Sequence, residues 1–179
     1  MLPGGGEPYL PFTTCQGVIT DRRLRYGEGL MHPDITIKER RYSEELHQLT
    51  HISPVDCVID DPFERIIYLI SKGDMGSAIG KNGEHIKRLQ KTLGKRVEMV
   101  EEGGSPAELV ANAIRPADIS RVECDEDSHI AVIYLKKRSD VGVAIGKGGA
   151  NIEKARLLCR RYYRMEIRDV SVEEVPYEK

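Results

Sequence analysis

The sequence repeats one pattern of glycine, lysine and isoleucine at two places that lie 66 residues apart. The segment Asp74–Ile86 falls on the segment Asp140–Ile152 at this offset, and Asp, Gly, Ala, Ile, Gly, Lys, Gly and Ile recur in the same order. At the same offset, Ile66–Leu69 falls on Val132–Leu135. A repeat of this length is typical of a duplicated structural unit. The sequence therefore predicts two copies of one small domain.

The two copies, residues 41–102 and residues 104–172, show the same order of secondary-structure signals. Apolar residues at helical spacing predict helices, and runs of β-branched residues predict strands. In the first copy the expected elements are a helix over Ser43–Leu49, strands over Val55–Ile59 and Arg65–Ser71, helices over Met75–Ile79 and from Gly83 to Leu93, and a strand over Arg96–Glu101. In the second copy they are a helix over Pro106–Ile114, strands over Ile119–Cys124 and Ile130–Lys136, two helices flanking Gly146–Gly149, and a strand over Arg164–Val170.

The predicted order, α-β-β-α-α-β, defines the fold class of each copy as α+β. Helices that cover one face of a three-stranded sheet form a two-layer domain. A domain of about 65 residues buries little apolar surface on its own. Because the linker Glu102–Ser105 is also short, we expect the two copies to pack against each other.

The ends of the chain belong to neither copy. Residues 1–40 begin with a run rich in proline and glycine and show no sustained period, so we expect them to be largely disordered. Met31 is a candidate alternative translation start, and Ile35–Lys38 is a candidate edge strand. The tail, residues 173–179, is acidic and is expected to fray.

Composition excludes several classes of protein. No apolar run approaches the length of about 20 residues that a membrane-spanning helix needs, so we expect no membrane association. The N-terminus lacks a signal peptide, and the cysteines form no Cys-x-x-Cys pair, which favours a cytoplasmic protein without a metal site. We also expect a monomer without a cofactor. The net charge of −2 argues against a nonspecific nucleic-acid coat. A site for an anion must therefore come from local geometry.

Such geometry is predicted at the two glycine loops between the paired helices. Gly80-Lys81-Asn82-Gly83 and Gly146-Lys147-Gly148-Gly149 provide tight reversals, and a backbone without Cβ atoms lets a sugar-phosphate chain approach closely. The helix that follows each loop directs its amide groups towards a bound anion. The simpler interpretation, a helix–helix turn without a ligand, is weakened because lysine occupies the same position in both loops.

Other side chains near the loops extend each candidate site. Four isoleucines could form an apolar floor for unstacked bases, and three basic residues follow the loops by about one helical turn. The isoleucines are Ile79, Ile86, Ile145 and Ile152, and the basic residues are Lys87, Arg88 and Lys154.

Two enzymatic interpretations fail, one on spacing and one on residue identity, so we expect no catalytic residues. A nucleotide-binding phosphate loop needs four residues between its glycines and Ser or Thr after its lysine, whereas Gly76 to Gly80 encloses three and Asn82 follows Lys81. His47 and His51 have the spacing of a metalloprotease helix, but Gln48 occupies the position of its glutamate base.

The segments Ile79–Ile86 and Ile145–Ile152 resemble the signature Ile-Gly-x-x-Gly-x-x-Ile of K-homology (KH) domains. The element order resembles the type II arrangement, and the tandem pair is similar to the archaeal-type NusA family. This resemblance implies that the two loops, Gly80–Gly83 and Gly146–Gly149, clamp the backbone of single-stranded RNA during transcription termination or antitermination. It also makes RNA polymerase a candidate partner. A KH factor of ribosome biogenesis or RNA processing, and a protein-interaction pair, remain as alternatives.

Overall fold

The computed structural model describes residues 36–125 and 127–173. The elements of the first half are α1 (Ile37–Thr50), β1 (Asp56–Asp60), β2 (Arg65–Ile70), α2 (Met75–Ile79), α3 (Glu84–Leu93) and β3 (Arg96–Glu101). Those of the second half are α4 (Pro106–Ala113), β4 (Ile119–Asp125), β5 (Ile130–Leu135), α5 (Val141–Ile145), α6 (Ala150–Tyr163) and β6 (Glu166–Val172). The predicted α-β-β-α-α-β order and the α+β class are confirmed in both halves.

The two sheets share one topology. In the first sheet, β2 pairs antiparallel with β1 and parallel with β3, and the order is β1-β2-β3. In the second sheet, β5 occupies the same central position between β4 and β6. The parallel pairing places the paired helices, α2 with α3 and α5 with α6, in the connection between the central strand and the last strand.

The start of the first domain corrects two predictions. Residues 36–40, expected in the disordered extension before residue 41, cap and begin a helix of the first domain. Instead of an edge strand over Ile35–Lys38, the chain enters α1 at Ile37, with Thr36 as the helix cap. The Thr36 hydroxyl accepts a hydrogen bond from the Glu39 amide, and the Glu39 carboxylate accepts one from the Thr36 amide. This capping box satisfies amides that would otherwise lack partners at the helix start. The predictions for residues 1–35 and for the end of the tail lie outside the described residues.

Helices of the same half cover one face of each sheet, as predicted, and helices of the second half also cover the other face of the first sheet. On one face, Ile66, Tyr68 and Ile70 pack with residues of α1 and α3. On the other face, Ile67 and Leu69 belong to the same apolar cluster as α4 and α6 of the second half. The two halves therefore share a core, and the expectation that they pack together is confirmed.

The repeat changes its offset between the strands and the loops. Ile66, Tyr68 and Ile70 face their own helices in the first half, and the residues with this role in the second half are Ala131, Ile133 and Leu135. The strands therefore correspond at an offset of 65, and the predicted match of Ile66–Leu69 with Val132–Leu135 is wrong by one residue. The connection before α5, residues 136–140, is one residue longer than residues 71–74 before α2. In a strand, one residue exchanges the two faces.

Within the part of the chain that the structure describes, no helix combines the length and the apolar character needed to cross a bilayer.

Candidate nucleic-acid interface

The two glycine loops adopt the same backbone conformation. At the first glycine, Gly80 has φ 75° and ψ 169°, and Gly146 has φ 74° and ψ 171°. At the third position, Asn82 has φ 54° and Gly148 has φ 62°. Positive φ is costly for most side chains, but asparagine tolerates it better than others. The two Gly-x-x-Gly sequences therefore encode one turn, and Asn82 is a permitted exception to glycine within it.

The loop tips project into solvent. Lys81, Asn82, Lys147 and Gly148 are all exposed. Each loop leads directly into a helix of at least two turns, α3 or α6, whose first amide groups lack partners within the helix. A lysine charge and the positive end of a helix dipole therefore lie close together at each loop, and this combination attracts phosphate.

The isoleucines predicted to line the loops do not all reach the surface. Ile79 and Ile86 are half-buried, and Ile145 is 39% exposed. Ile152, in contrast, is buried in the shared core, so the structure contradicts its predicted role as a floor for bases. Val143, which is also 39% exposed, adds apolar surface before the second loop that the sequence analysis did not select.

The basic residues after the loops also differ in whether they reach the surface. Lys87 and Arg88 are exposed, and the Lys87 ammonium donates a hydrogen bond to the carbonyl of Asn82 at 3.0 Å. Lys154 is buried, and its Nζ atom lies 2.7 Å from Glu98 Oε2 in the first half. Lys154 is therefore an interdomain ion-pair residue, and its predicted contact with phosphate is corrected.

An ionic cluster joins the first sheet to the helix that follows the second loop. The side chain of Arg65 is fully buried and donates hydrogen bonds to Asp60, Glu98 and the carbonyl of Ala150 at 2.6, 3.2 and 2.7 Å. Burial raises the pKa of Glu98, but the hydrogen bond and charge of Lys154, together with Arg65, hold it below its usual value. Because Ala150 follows Gly149 directly, this cluster fixes the start of α6 against the first domain.

A second ionic contact between the halves is centred on Asp56. Its carboxylate accepts hydrogen bonds from Arg161 Nε and from the Tyr162 hydroxyl, both at 2.6 Å. Burial, then the Asp56 charge, raises the pKa of Tyr162 well above its usual range. The phenol therefore remains a hydrogen-bond donor at ordinary pH.

A groove between α6 and β6 in the second domain was not predicted from the sequence. The groove has a volume of about 530 Å³, and its lining includes Arg156, Arg160 and Arg168 together with Glu153 and Glu166. The four-residue spacing of Arg156 and Arg160 on a helix was visible in the sequence. Only the packing of α6 against β6 shows that this helix face lines a groove.

Comparison with known proteins identifies the family. Residues 41–103 match the KH domain family, and residues 106–174 match the NusA-like second KH domain. A probable transcription termination protein NusA from Halobacterium salinarum is 37% identical over 130 residues, which is 69% of this chain and 92% of that protein. This chain belongs to the archaeal NusA family. The resemblance to this family predicted from the sequence is thereby confirmed.

Two further relatives agree with this assignment. The probable transcription termination protein NusA of Methanocaldococcus jannaschii is 27% identical over 133 residues, covering 74% of this chain and 72% of that protein. The crystal structure of APE1850 is 34% identical, with a TM-score of 0.69, and the match covers 78% of this chain and 100% of that one. The two matched family ranges, residues 41–103 and 106–174, include both glycine loops.

Proposed function

We propose that this protein binds single-stranded RNA through the two loops Gly80–Gly83 and Gly146–Gly149 and acts in transcription termination. The observation that carries the proposal is the matched geometry of the loops, each with an exposed lysine before a helix N-terminus. A Gly-x-x-Gly loop of a KH domain clamps about four nucleotides by their backbone. Lys81 and Lys147 supply charge at the clamp, and Lys87 and Arg88 extend it.

The arrangement of the two halves supports a single RNA path over both domains. The cluster around Arg65 links the first sheet to the start of α6, so the second loop has a fixed place relative to the first domain. Two sites held at a fixed spacing raise each other's effective concentration, which strengthens binding of an RNA long enough to span them.

The role in transcription follows from the family. The relatives are named as transcription termination proteins, and this favours transcription over ribosome biogenesis or RNA processing. The family consists of RNA-binding factors and is not a known class of enzyme, so we propose a non-enzymatic, monomeric protein of the cytoplasm. RNA polymerase is the partner that a termination factor would meet on a nascent transcript.

The salt dependence of RNA binding tests the proposal. For single strands, each phosphate contact contributes about 0.7 to the slope of log K against log salt. Lys81→Ala and Lys147→Ala should each weaken binding of a labelled, unstructured RNA and reduce that slope by about 0.7. Binding is measured by fluorescence anisotropy at several salt concentrations.

Lys95→Ala is the matched control for these variants. It also removes one positive charge, but Lys95 lies beyond the far end of α3, about 15 Å from the first loop by the helical rise of ten residues. The slope for this control should equal that of the wild type. If all three variants reduce the slope equally, the loops are not the phosphate sites, and the proposal fails.

A further inference from the structure

One side chain after each loop contacts the helix before it. His85 Nδ1 lies 3.0 Å from the carbonyl oxygen of Ser77, and Asn151 Nδ2 donates a hydrogen bond to the carbonyl of Val143 at 2.8 Å. His85 and Asn151 occupy equivalent positions of the repeat, as do Ser77 and Val143. Two different side chains thus make the same connection across the two loops.

The same two side chains cover the first glycine of each loop. A Cβ atom added to Gly80 would lie 2.7 Å from His85 Cγ, and one added to Gly146 would lie 2.9 Å from Asn151 Cγ. These distances are too short for any side chain larger than hydrogen. The first glycine is therefore required not only by its positive φ but also by the side chain that packs on it.

The chemistry of the contact explains why histidine and asparagine can replace each other. A carbonyl oxygen only accepts, so the side chain must supply an N–H group at this point. The imidazole does so through Nδ1 and the carboxamide through Nδ2. The accepting carbonyls lie in the last turn of α2 and α5, where carbonyl groups need partners from outside the helix. Helices of five residues are too short to be stable alone, so such contacts determine their ends.

We propose that His85 and Asn151 are positioning residues that hold the two loops in their RNA-binding conformation. The proposal rests on the function proposed above. Without this contact, each loop would spend part of its time in other conformations, and the apparent affinity falls in proportion to the competent fraction. Since one such hydrogen bond is worth a factor of roughly two to ten in an equilibrium, we expect losses of this size.

The test compares His85→Ala and His85→Asn in the full-length protein. His85→Ala should weaken binding of a labelled single-stranded RNA roughly two- to tenfold, whereas His85→Asn should restore it because asparagine performs this role in the second loop. Thr92→Ala, an exposed change on the same helix, serves as the control and should bind as the wild type. Asn151→Ala should reproduce the loss at the second loop.

Amide hydrogen exchange of the RNA-free protein gives a second measurement that does not depend on RNA binding. His85→Ala should speed exchange at Gly83 and Glu84, whose amides donate hydrogen bonds to the carbonyls of Gly80 and Lys81 in the loop. A loss in both His85 variants, or no change in loop exchange for His85→Ala, overturns the proposal. If the wild type binds no RNA but the exchange result holds, the proposed function fails and the positioning role stands.

Discussion

Replacing Arg65 with methionine tests whether the interdomain ionic cluster supports the fold. The variant keeps an unbranched side chain but removes the charge and the three hydrogen bonds that Arg65 donates. The Asp60 carboxylate, which is 5% exposed, then loses the guanidinium that neutralises it. Removing one partner of a buried ion pair costs about 3–5 kcal/mol, because the other charge stays buried.

This loss is large compared with the total stability. Domains of this size unfold with a free energy of about 5–15 kcal/mol, and the slope in urea is about 1–3 kcal/mol per molar. The urea midpoint of Arg65→Met should therefore fall by about 1–5 M relative to the wild type. Circular dichroism and tyrosine fluorescence, followed in the same titration, measure this midpoint.

Lys72→Met is the matched control, since it also removes a cation that pairs across the two halves. Lys72 Nζ lies 2.8 Å from Glu108 Oε1, but the lysine side chain is 70% exposed. Ion pairs exposed to solvent contribute little to the free energy of unfolding, so the urea midpoint of this variant should stay at the wild-type value. If the urea midpoint of Arg65→Met stays as close to the wild-type value as that of Lys72→Met, the ionic cluster does not support the fold and the reasoning is refuted.

Three further predictions concern the core and the first loop. The pKa of Glu98 is lowered in the folded protein, so its ion pairs stabilise the fold above the unfolded pKa of about 4.3, and this stabilisation is lost as the pH falls through the folded pKa. The urea midpoint of Glu98→Gln should therefore depend less on pH in this acid range than that of the wild type, and an equal dependence would contradict the role of Glu98. Gly80→Ala should lower the thermal midpoint and the RNA affinity because the new Cβ atom would clash with His85. Gly76→Ala, which adds a Cβ atom in open space within α2, should raise the thermal midpoint, and equal effects of the two variants would contradict the clash. Burial raises the pKa of the Cys57 thiol to about 12, so iodoacetamide at pH 8 should label it only on unfolding, and rapid native labelling seen by peptide mass spectrometry would contradict its burial.

Local signals in the sequence were sufficient to predict most elements. The strand β3 has the predicted bounds, Arg96–Glu101, because Gly94 ends the preceding helix. The helix α2 likewise has its predicted bounds, Met75–Ile79, since Gly80 ends it. Where glycine marks an element's end, the chain's own preference determines the boundary.

Contacts between the halves could not be predicted in this way. Lys154 lies one turn after the second loop, as Lys87 does after the first, and nothing in its own segment indicates that Glu98 would cover it. The burial of Arg65 has the same cause, because its partner Ala150 belongs to the other half. Both positions depend on how two domains pack, which a pattern within one domain does not encode.

The predicted offset between the strands of the two halves was wrong for a different physical reason. Ile133-Tyr134-Leu135 repeats the letters of Ile67-Tyr68-Leu69, and this identity suggested a single offset throughout. The faces of the strands are determined by what packs on them, and the first sheet is apolar on both faces because the second domain covers one of them. A strand without alternating polarity cannot reveal its register.

The most direct test of RNA binding by the two loops changes all four exposed tip residues together. One variant places negative charge at both loops by combining Lys81→Asp, Asn82→Asp, Lys147→Asp and Gly148→Asp. Circular dichroism and the urea midpoint check that this variant remains folded. In anisotropy titrations with short unstructured RNA at two salt concentrations, the wild type should bind more weakly at higher salt, and the folded variant should not bind. RNA affinity retained by the folded variant would contradict the account, because the loops would then be helix–helix turns only.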